Sequence, residues 1–141
     1  MDFRRVTKSA EKCAILGLNP HASEGGIIGR FEDIFKSPRL QRIMKENNIF
    51  GPFAADSFFA SEMWKVYPIV FAMYHDQGLI PFKMHHRKSP SVHLTLGIPF
   101  VRTSVDHGTA KDIANKGIAD FASMLEAIRL NINLASRGIN V

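Results

Sequence analysis

The stretches AILGLNPHASEGG (residues 14–26) and IVFAMYHDQGLIPFK (residues 69–83) share one layout. Each begins with an apolar run typical of a strand covered on both faces, residues 14–18 and 69–74, and a histidine follows each run. In an open α/β sheet, ligands bind in the crevice outside the carboxyl ends of the strands. If these two strands are parallel neighbours, His21 and His75 emerge at the same edge of the sheet.

Length and composition indicate a globular protein. The chain has 141 residues, of which 45% are hydrophobic, and this is enough to form one core. We expect residues 1–12 to be a flexible arm or a linker remnant, and residues 13–141 to form a single α/β domain. The single cysteine, Cys13, excludes an intrachain disulfide. Because the N-terminus also lacks the apolar stretch of a secretory signal, we expect a cytoplasmic protein with no membrane partner.

The formal net charge of +5 raises the question of nucleic-acid binding. Such binding needs the basic groups on one face, but here they are spread over an N-terminal arm, a helix and a loop. The helix group is typical of a solvated face. The loop group, close to His75 in sequence, favours a small anionic substrate instead.

Local signals predict several further elements. Ser37-Pro38 is typical of a helix start, and that helix should run to about residue 47. A mixed helical segment at 58–66, a loop or short helix at 77–83 and strands at 92–96 and 99–102 follow. The last helix begins after Asp120, and its apolar residues recur at helical spacing. Those expected to face the core are Phe121, Met124, Leu125, Ile128, Ile132 and Ala135.

Two histidines at one sheet edge make a candidate metal site, because neutral imidazole is a common ligand of divalent cations. A histidine such as His21, taken alone, can equally cap a glycine-rich turn, but His75 in the equivalent place favours the metal interpretation. A catalytic zinc-type site takes three protein ligands. The third must come from another residue here, from another subunit or from a part of the protein outside this chain.

Three charged residues have two interpretations each. Asp76 can serve beside a metal ligand or as a proton acceptor, or it can cap a helix. Lys83 can neutralise a phosphate or carboxylate, or it can be a surface lysine with its stem against apolar residues. Arg102 can form a bidentate contact with an anion, or a structural ion pair.

A glycine-containing turn, HGTA at residues 107–110, precedes a segment that we expect to be helical. Free backbone N–H groups at such a turn can face an anion. The chain contains no GxGxxG pattern, so the turn by itself is a weak indication of a cofactor.

Five segments in this order, GLNPHASEGG, GPFAADSFF, AMYHDQGLIPFK, LTLGIPFVRTSVDHGTAKDIA and KGIAD, resemble the C-terminal half of the 4-hydroxythreonine-4-phosphate dehydrogenase family of pyridoxal phosphate (vitamin B6) biosynthesis. The resemblance covers about residues 13–135. It implies an α/β fold, the C-terminal portion of an isocitrate/isopropylmalate-dehydrogenase-like fold with a mostly parallel sheet flanked by helices.

The resemblance also implies a reaction. Members oxidise the secondary alcohol of 4-phosphooxy-threonine with NAD or NADP, and the product loses carbon dioxide to give 3-amino-2-oxopropyl phosphate. A divalent cation (zinc, magnesium or cobalt) acts as a Lewis acid, at a site between the subunits of a homodimer. The matching residues are His21 and His75 for the metal, Lys83 and Arg102 for the phosphorylated substrate, and His107, Gly108, Thr109, Ala110, Asp112 and Ile113 for the cofactor. We expect His93 to contact the substrate as well, and we expect Asp76, from its place beside His75, to be the catalytic residue.

Some positions depart from the family pattern. His93 stands where the family has a substrate-binding asparagine, Ser23 replaces a glycine beside His21, and the family's third metal-binding histidine lies in the half that is absent here. These departures keep two alternatives open: a catalytically inactive binding or dimerisation remnant, and a dehydrogenase of a related phosphorylated hydroxy acid such as threonate or erythronate phosphate.

Overall fold

Three short strands form a parallel sheet in the order β2–β1–β3. They are β1 (Cys13–Leu16), β2 (Ile49–Phe53) and β3 (Ile69–Phe71), in a computed structural model that describes residues 11–86 and 89–138. In the register, Cys13 lies opposite both Ile49 and Ile69. The predicted α/β class with a parallel sheet is therefore confirmed, although both predicted apolar strands end earlier than expected.

The central strand β1 is the most buried element of this sheet. Cys13, Ala14 and Leu16 have no exposed surface, because β1 has a paired strand on each side. The buried Phe58 packs with Ala14 and Leu16. Further partly buried side chains surround this cluster, namely Phe53, Ala55, Phe59, Met63, Trp64, Tyr67 and Val70.

Two helices connect the strands of this sheet. Helix α1 (Pro38–Glu46) begins as predicted, because the Ser37 hydroxyl accepts a hydrogen bond from the Leu40 backbone N–H and proline occupies the first turn. Helix α2 (Ala55–Ala60) starts and ends earlier than the predicted segment 58–66. Glu62, in the left-handed region, separates it from a single 3-10 turn at Met63–Lys65.

Helix α3 (His75–His85) is longer than the sequence suggested. The prediction of a loop or short helix broken at Pro81 was wrong, because the helix continues through this proline. Proline removes one helical hydrogen bond and usually bends or ends a helix. Here the helix begins directly at the candidate ligand His75, four residues after β3.

The remaining elements are an antiparallel pair of strands and a long helix. Strand β4 (Val92–Thr95) pairs with β5 (Arg102–Val105), with Val92 opposite Val105. The fourth strand was predicted at 99–102, which is too early, since Pro99 has no N–H to donate to a ladder. Helix α4 (Ala122–Ser136) packs on this pair, and the Thr103 hydroxyl donates to the Ala127 carbonyl at 2.9 Å.

The buried face of α4 is not the predicted one. Ser123, Ala127 and Leu134 are buried, and two of them carry hydrogen bonds to the strand pair and the residue after it: the Ala127 carbonyl accepts from Thr103 and the Ser123 hydroxyl from the Asp106 N–H. The apolar stripe lies on the other side of the helix and is exposed. Its exposed fractions are Phe121 74%, Met124 49%, Leu125 38%, Ile128 50% and Ile132 63%, and Ala135 is exposed as well.

The chain divides into two compact units, one within Ala10–His85 and one that contains His86–Val141. The single domain expected over 13–141 stays a prediction. Of the expected arm at 1–12, residues 1–10 lie outside the described residues. Within the described ranges, no helix is both long and apolar enough to span a membrane.

Candidate functional site

His21 and His75 follow neighbouring parallel strands. Strand β1 ends at Leu16 and β3 at Phe71, and the two pair directly with each other. Parallel strands present their carboxyl ends at the same edge, so both histidine-bearing segments leave the sheet from one side.

Two long-range hydrogen bonds tie these segments together. The Tyr74 hydroxyl donates to the Leu18 carbonyl at 2.9 Å, and the Gln77 side-chain amide donates to the Gly17 carbonyl at 2.9 Å. The Gln77 carbonyl oxygen in turn accepts from the backbone N–H groups of Met73 and Tyr74, at 3.0 and 3.2 Å. The start of α3 is thereby fixed against the end of β1.

The imidazole of His21 contacts a carboxylate. Its Nδ1 lies 3.3 Å from Glu24 Oε1, and its side chain is 62% exposed. A carboxylate on one ring nitrogen orients the ring and leaves the other nitrogen, Nε2, for a ligand. Its backbone N–H donates to Asn19 Oδ1 at 2.9 Å, which fixes the residue within its loop.

Helix α3 carries three of the predicted site residues, His75, Asp76 and Lys83, all of them exposed. Asp76 and Lys83 are seven residues apart, which places them near one face of a regular helix. Asp76 lies in the first turn, where a carboxylate is favoured by the helix dipole. Both of its predicted roles, as a helix-end carboxylate and as a proton acceptor beside His75, are consistent with this position.

A cation at this edge would find an incomplete set of protein ligands. Residues 11–86 and 89–138 contain no group of three or more histidine, cysteine, aspartate or glutamate side chains arranged to hold a metal ion. Two exposed imidazoles suit zinc or cobalt as partial ligands. The described residues therefore do not show a third protein ligand grouped with His21 and His75.

The second unit brings His93 and Arg102 to the same face of the β4–β5 pair. His93 lies opposite Ser104, and Thr95 lies opposite Arg102, so all four share a face by strand alternation. The Arg102 guanidinium donates to the Thr95 hydroxyl at 2.7 Å. Both predicted substrate residues are exposed, and Arg102 has a neighbour that restrains its side chain.

The loop after β5 differs from the sequence-based expectation. The helix expected after the turn is only a 3-10 turn at Lys111–Ile113, preceded by Ala110 in the left-handed region. One short turn lacks the aligned N–H groups of a full helix start. The predicted loop nevertheless lines a cavity of about 410 Å³, to which His107, Ala110 and Ile113 contribute.

Asp106, just before this loop, is the centre of a hydrogen-bond network. The Ser91 hydroxyl donates to its carboxylate, and the Asp106 N–H donates to the Ser123 hydroxyl at 3.2 Å. That hydroxyl donates to the Ser91 carbonyl at 2.7 Å. Hydrogen bonding, first of all by Ser91, holds the pKa of Asp106 below its usual range, against the opposing effect of partial burial.

The lowered pKa predicts a pH-dependent contribution to stability. Replacing Asp106 with asparagine should lower the free energy of unfolding near neutral pH by about 1 kcal/mol, because a charge-assisted hydrogen bond is lost at a largely exposed group. A depressed pKa stabilises the fold above about pH 4, and this contribution is lost as the pH falls through the folded-state pKa. Urea titrations should show the difference between variant and parent shrinking below about pH 4. A difference that stays constant down to pH 3 would contradict this assignment.

Several residues that organise these sites were missed by the sequence reasoning. Gln77 and Asp106 sit beside predicted site residues in the motifs HDQG and VDHG, and that adjacency was the available signal. Glu32, which is only 6% exposed, gave no local signal. Its burial depends on a partner nine residues away.

Comparison with known proteins gives a consistent result. A family model described as pyridoxal phosphate biosynthetic protein PdxA matches residues 2–131. A 4-hydroxythreonine-4-phosphate dehydrogenase from Prosthecochloris aestuarii is 48% identical over 124 residues, which is 88% of this chain and 36% of the relative. A relative from Oceanobacillus iheyensis, provisionally named D-threonate 4-phosphate dehydrogenase, is 48% identical over 126 residues, covering 88% of this chain and 38% of the relative.

A solved structure agrees with these relatives. The crystal structure of 4-hydroxythreonine-4-phosphate dehydrogenase from Klebsiella pneumoniae superposes with a TM-score of 0.72 and 40% identity, covering 94% of this chain and 40% of that one. This match confirms the predicted isocitrate/isopropylmalate-dehydrogenase-like fold class. The chain spans well under half the length of each of these relatives.

Proposed function

Since the chain belongs to the family of pyridoxal phosphate biosynthetic protein PdxA, we propose that it carries part of the active site of a 4-hydroxythreonine-4-phosphate dehydrogenase. The reaction is the oxidation of 4-phosphooxy-threonine with NAD or NADP, followed by decarboxylation to 3-amino-2-oxopropyl phosphate. The observation that supports this best is the direct pairing of β1 with β3, with Tyr74 and Gln77 bonded across to the end of β1.

The proposed reaction assigns a role to each residue of the candidate site. His21 and His75 hold the divalent cation, which when bound polarises the substrate hydroxyl as a Lewis acid. Asp76 would accept the proton of the substrate hydroxyl, and NAD or NADP, when bound, would accept the hydride from the carbon that carries this hydroxyl. The carboxyl group then leaves as carbon dioxide, and the carbon that carried it takes up a proton.

The anionic groups of substrate and cofactor are assigned to the remaining residues. Lys83 and Arg102 supply positive charge for the substrate phosphate and carboxylate, and His93 supplies a ring nitrogen for hydrogen bonding. The segment from His107 to Ile113 takes the cofactor against its cavity, with Asp106 fixing the start of the loop. The missing cation ligand comes from the rest of the fold or from a second subunit of a homodimer.

Binding of cobalt(II), measured by calorimetry and by its visible absorption band, tests this proposal. Replacing His21 or His75 with alanine should weaken cobalt affinity by at least about 100-fold, since loss of a ligand should exceed the roughly 10–100-fold effect of losing a supporting partner.

His85 provides the matched control for this experiment. It lies at the opposite end of α3 from His75, about 15 Å along the helix axis. Replacing His85 with alanine should leave the affinity unchanged. Equal losses in all three variants, or no cobalt binding by the parent chain, would contradict the proposed cation site.

Two other functions have an observation in their favour. The relative named for D-threonate 4-phosphate is as identical, at 48%, as the first one, so a related phosphorylated hydroxy acid is a second candidate substrate. The exposed apolar stripe of α4 instead favours a binding or dimerisation module. Measuring NADH formation with a panel of phosphorylated hydroxy acids distinguishes a 4-phosphooxy-threonine dehydrogenase from a dehydrogenase of a related substrate. Cobalt binding without turnover of any of these acids would indicate a binding or dimerisation module.

A further inference from the structure

The loop that carries His21 has a backbone conformation that most residues avoid. Five consecutive residues have positive φ: Ala22 at 47°, Ser23 at 57°, Glu24 at 41°, Gly25 at 70° and Gly26 at 105°. Glycine adopts this region freely, whereas residues with a Cβ atom are disfavoured there. Three of these five residues have a Cβ atom, so contacts elsewhere must stabilise the loop.

A buried carboxylate provides those contacts. Glu32 is 6% exposed and Ser23 2% exposed, and the Ser23 hydroxyl donates to Glu32 Oε2. The other oxygen, Oε1, accepts from the Asn19 backbone N–H at 2.9 Å. One side chain thus bonds to the residue two before His21 and to the residue two after it.

We propose that Glu32 is a positioning residue. It fixes both ends of the segment 19–23, in which His21 lies, and so holds the His21 imidazole where it can bind the cation. This inference rests on the proposed function, because it assumes that His21 is a cation ligand. A carboxylate suits the role, since its two oxygens accept from two donors at once. Its burial makes both bonds costly to lose.

The surroundings give the loop room to move when these bonds are removed. A cavity of about 280 Å³ is lined by Ser23, Gly25, Gly26 and Glu32 among others. The hydrogen bonds of Glu32 therefore add to the restraint on His21 that the loop's own backbone hydrogen bonds provide. Loss of this restraint should lower cation affinity, because the imidazole must then be ordered on binding.

Cobalt titration of the whole 141-residue chain tests the role of Glu32. Replacing Glu32 with alanine should weaken cobalt binding about tenfold. Replacing it with glutamine should restore affinity to within about threefold of the parent, because the amide can accept from the Asn19 N–H and donate to the Ser23 hydroxyl. The control is Asp33→Ala, which removes the neighbouring exposed carboxylate, paired with Lys36 at 2.6 Å, and should leave the affinity unchanged.

A second variant keeps the test valid if the Glu32→Ala protein does not fold. Ser23→Gly removes one of the two anchors while suiting the positive φ, and should weaken cobalt binding by the folded protein about threefold to fivefold. A purely structural role would instead lower the midpoint and leave the affinity of the folded protein unchanged. If folded Glu32→Ala and Ser23→Gly bind cobalt as tightly as the parent while His21→Ala binds it weakly, the role of Glu32 is overturned and the cation site is not. Absence of cobalt binding by the parent would overturn the proposed cation site as well.

Discussion

Replacing Gly51 with alanine is expected to lower the free energy of unfolding by about 3–5 kcal/mol, the sum of steric overlap and backbone strain. Gly51 has a φ of +130°, and a Cβ atom there would lie 2.4 Å from the Ile15 carbonyl oxygen and 3.0 Å from its Cγ2. Ile15 belongs to the central strand β1, which is paired on both sides. The clashing backbone oxygen therefore cannot move without separating the strands.

A substitution at Gly26 separates the effect of steric overlap from the effect of backbone strain. It also has a positive φ, +105°, but a Cβ atom there would have no heavy atom within 4 Å. Gly26→Ala should therefore show only the conformational term, about 1–2 kcal/mol. Chemical denaturation of both variants is the measurement. Similar losses in the two would show that the close approach of Gly51 to β1 is not the cause.

The second large loss of stability is expected for a substitution in the hydrophobic core. Replacing Phe58 with alanine should lower the free energy of unfolding by about 3–5 kcal/mol, as for other buried aromatic residues. Phe58 is 2% exposed and packs on Ala14 and Leu16 of β1. Its ring centroid lies 5.5 Å from that of Phe53 and 5.2 Å from that of Phe59. Truncation removes these contacts together and leaves a cavity beneath the sheet.

A matched control is available for this variant too. Phe31 is 65% exposed, so Phe31→Ala removes the same atoms from a solvated position and should change stability by less than about 0.5 kcal/mol. Urea denaturation followed by far-ultraviolet circular dichroism compares the two. A loss below 1 kcal/mol for Phe58→Ala would mean that the ring cluster is not part of the core. Because domains are stable by only about 5–15 kcal/mol, the expected loss would also disrupt the edge that carries His21 and His75.

Signals that depend on neighbouring residues were sufficient for parts of the fold. Ser37-Pro38 predicted the start of α1, since capping uses atoms within one turn. The apolar runs predicted β1 and β3, although both end early. Pro81 predicted a break that does not occur, since α3 continues through it to His85.

Local sequence signals likewise predicted only part of the candidate site. The positions of His21 and His75 after apolar runs predicted a shared edge, and the pairing of β1 with β3 is what makes these segments neighbours. The tie from Gln77 to Gly17 spans 60 positions of the chain, and no local pattern indicates such a bond. His93 and Arg102 were predicted separately, and only the strand register shows that they share a face.

By itself, the sequence determined the α/β class, the strand-then-histidine layout and the resemblance to a dehydrogenase family, because these follow from composition and from motifs of adjacent residues. Tertiary structure decided which strand is central, which face of α4 is buried and that Glu32 closes the loop around His21. Each of these depends on atoms distant in the chain coming within bonding distance. The periodicity of α4 showed that the helix has an apolar side, but the buried side is the one with Ser123, Ala127 and Leu134, and the helix packs on β4 and β5.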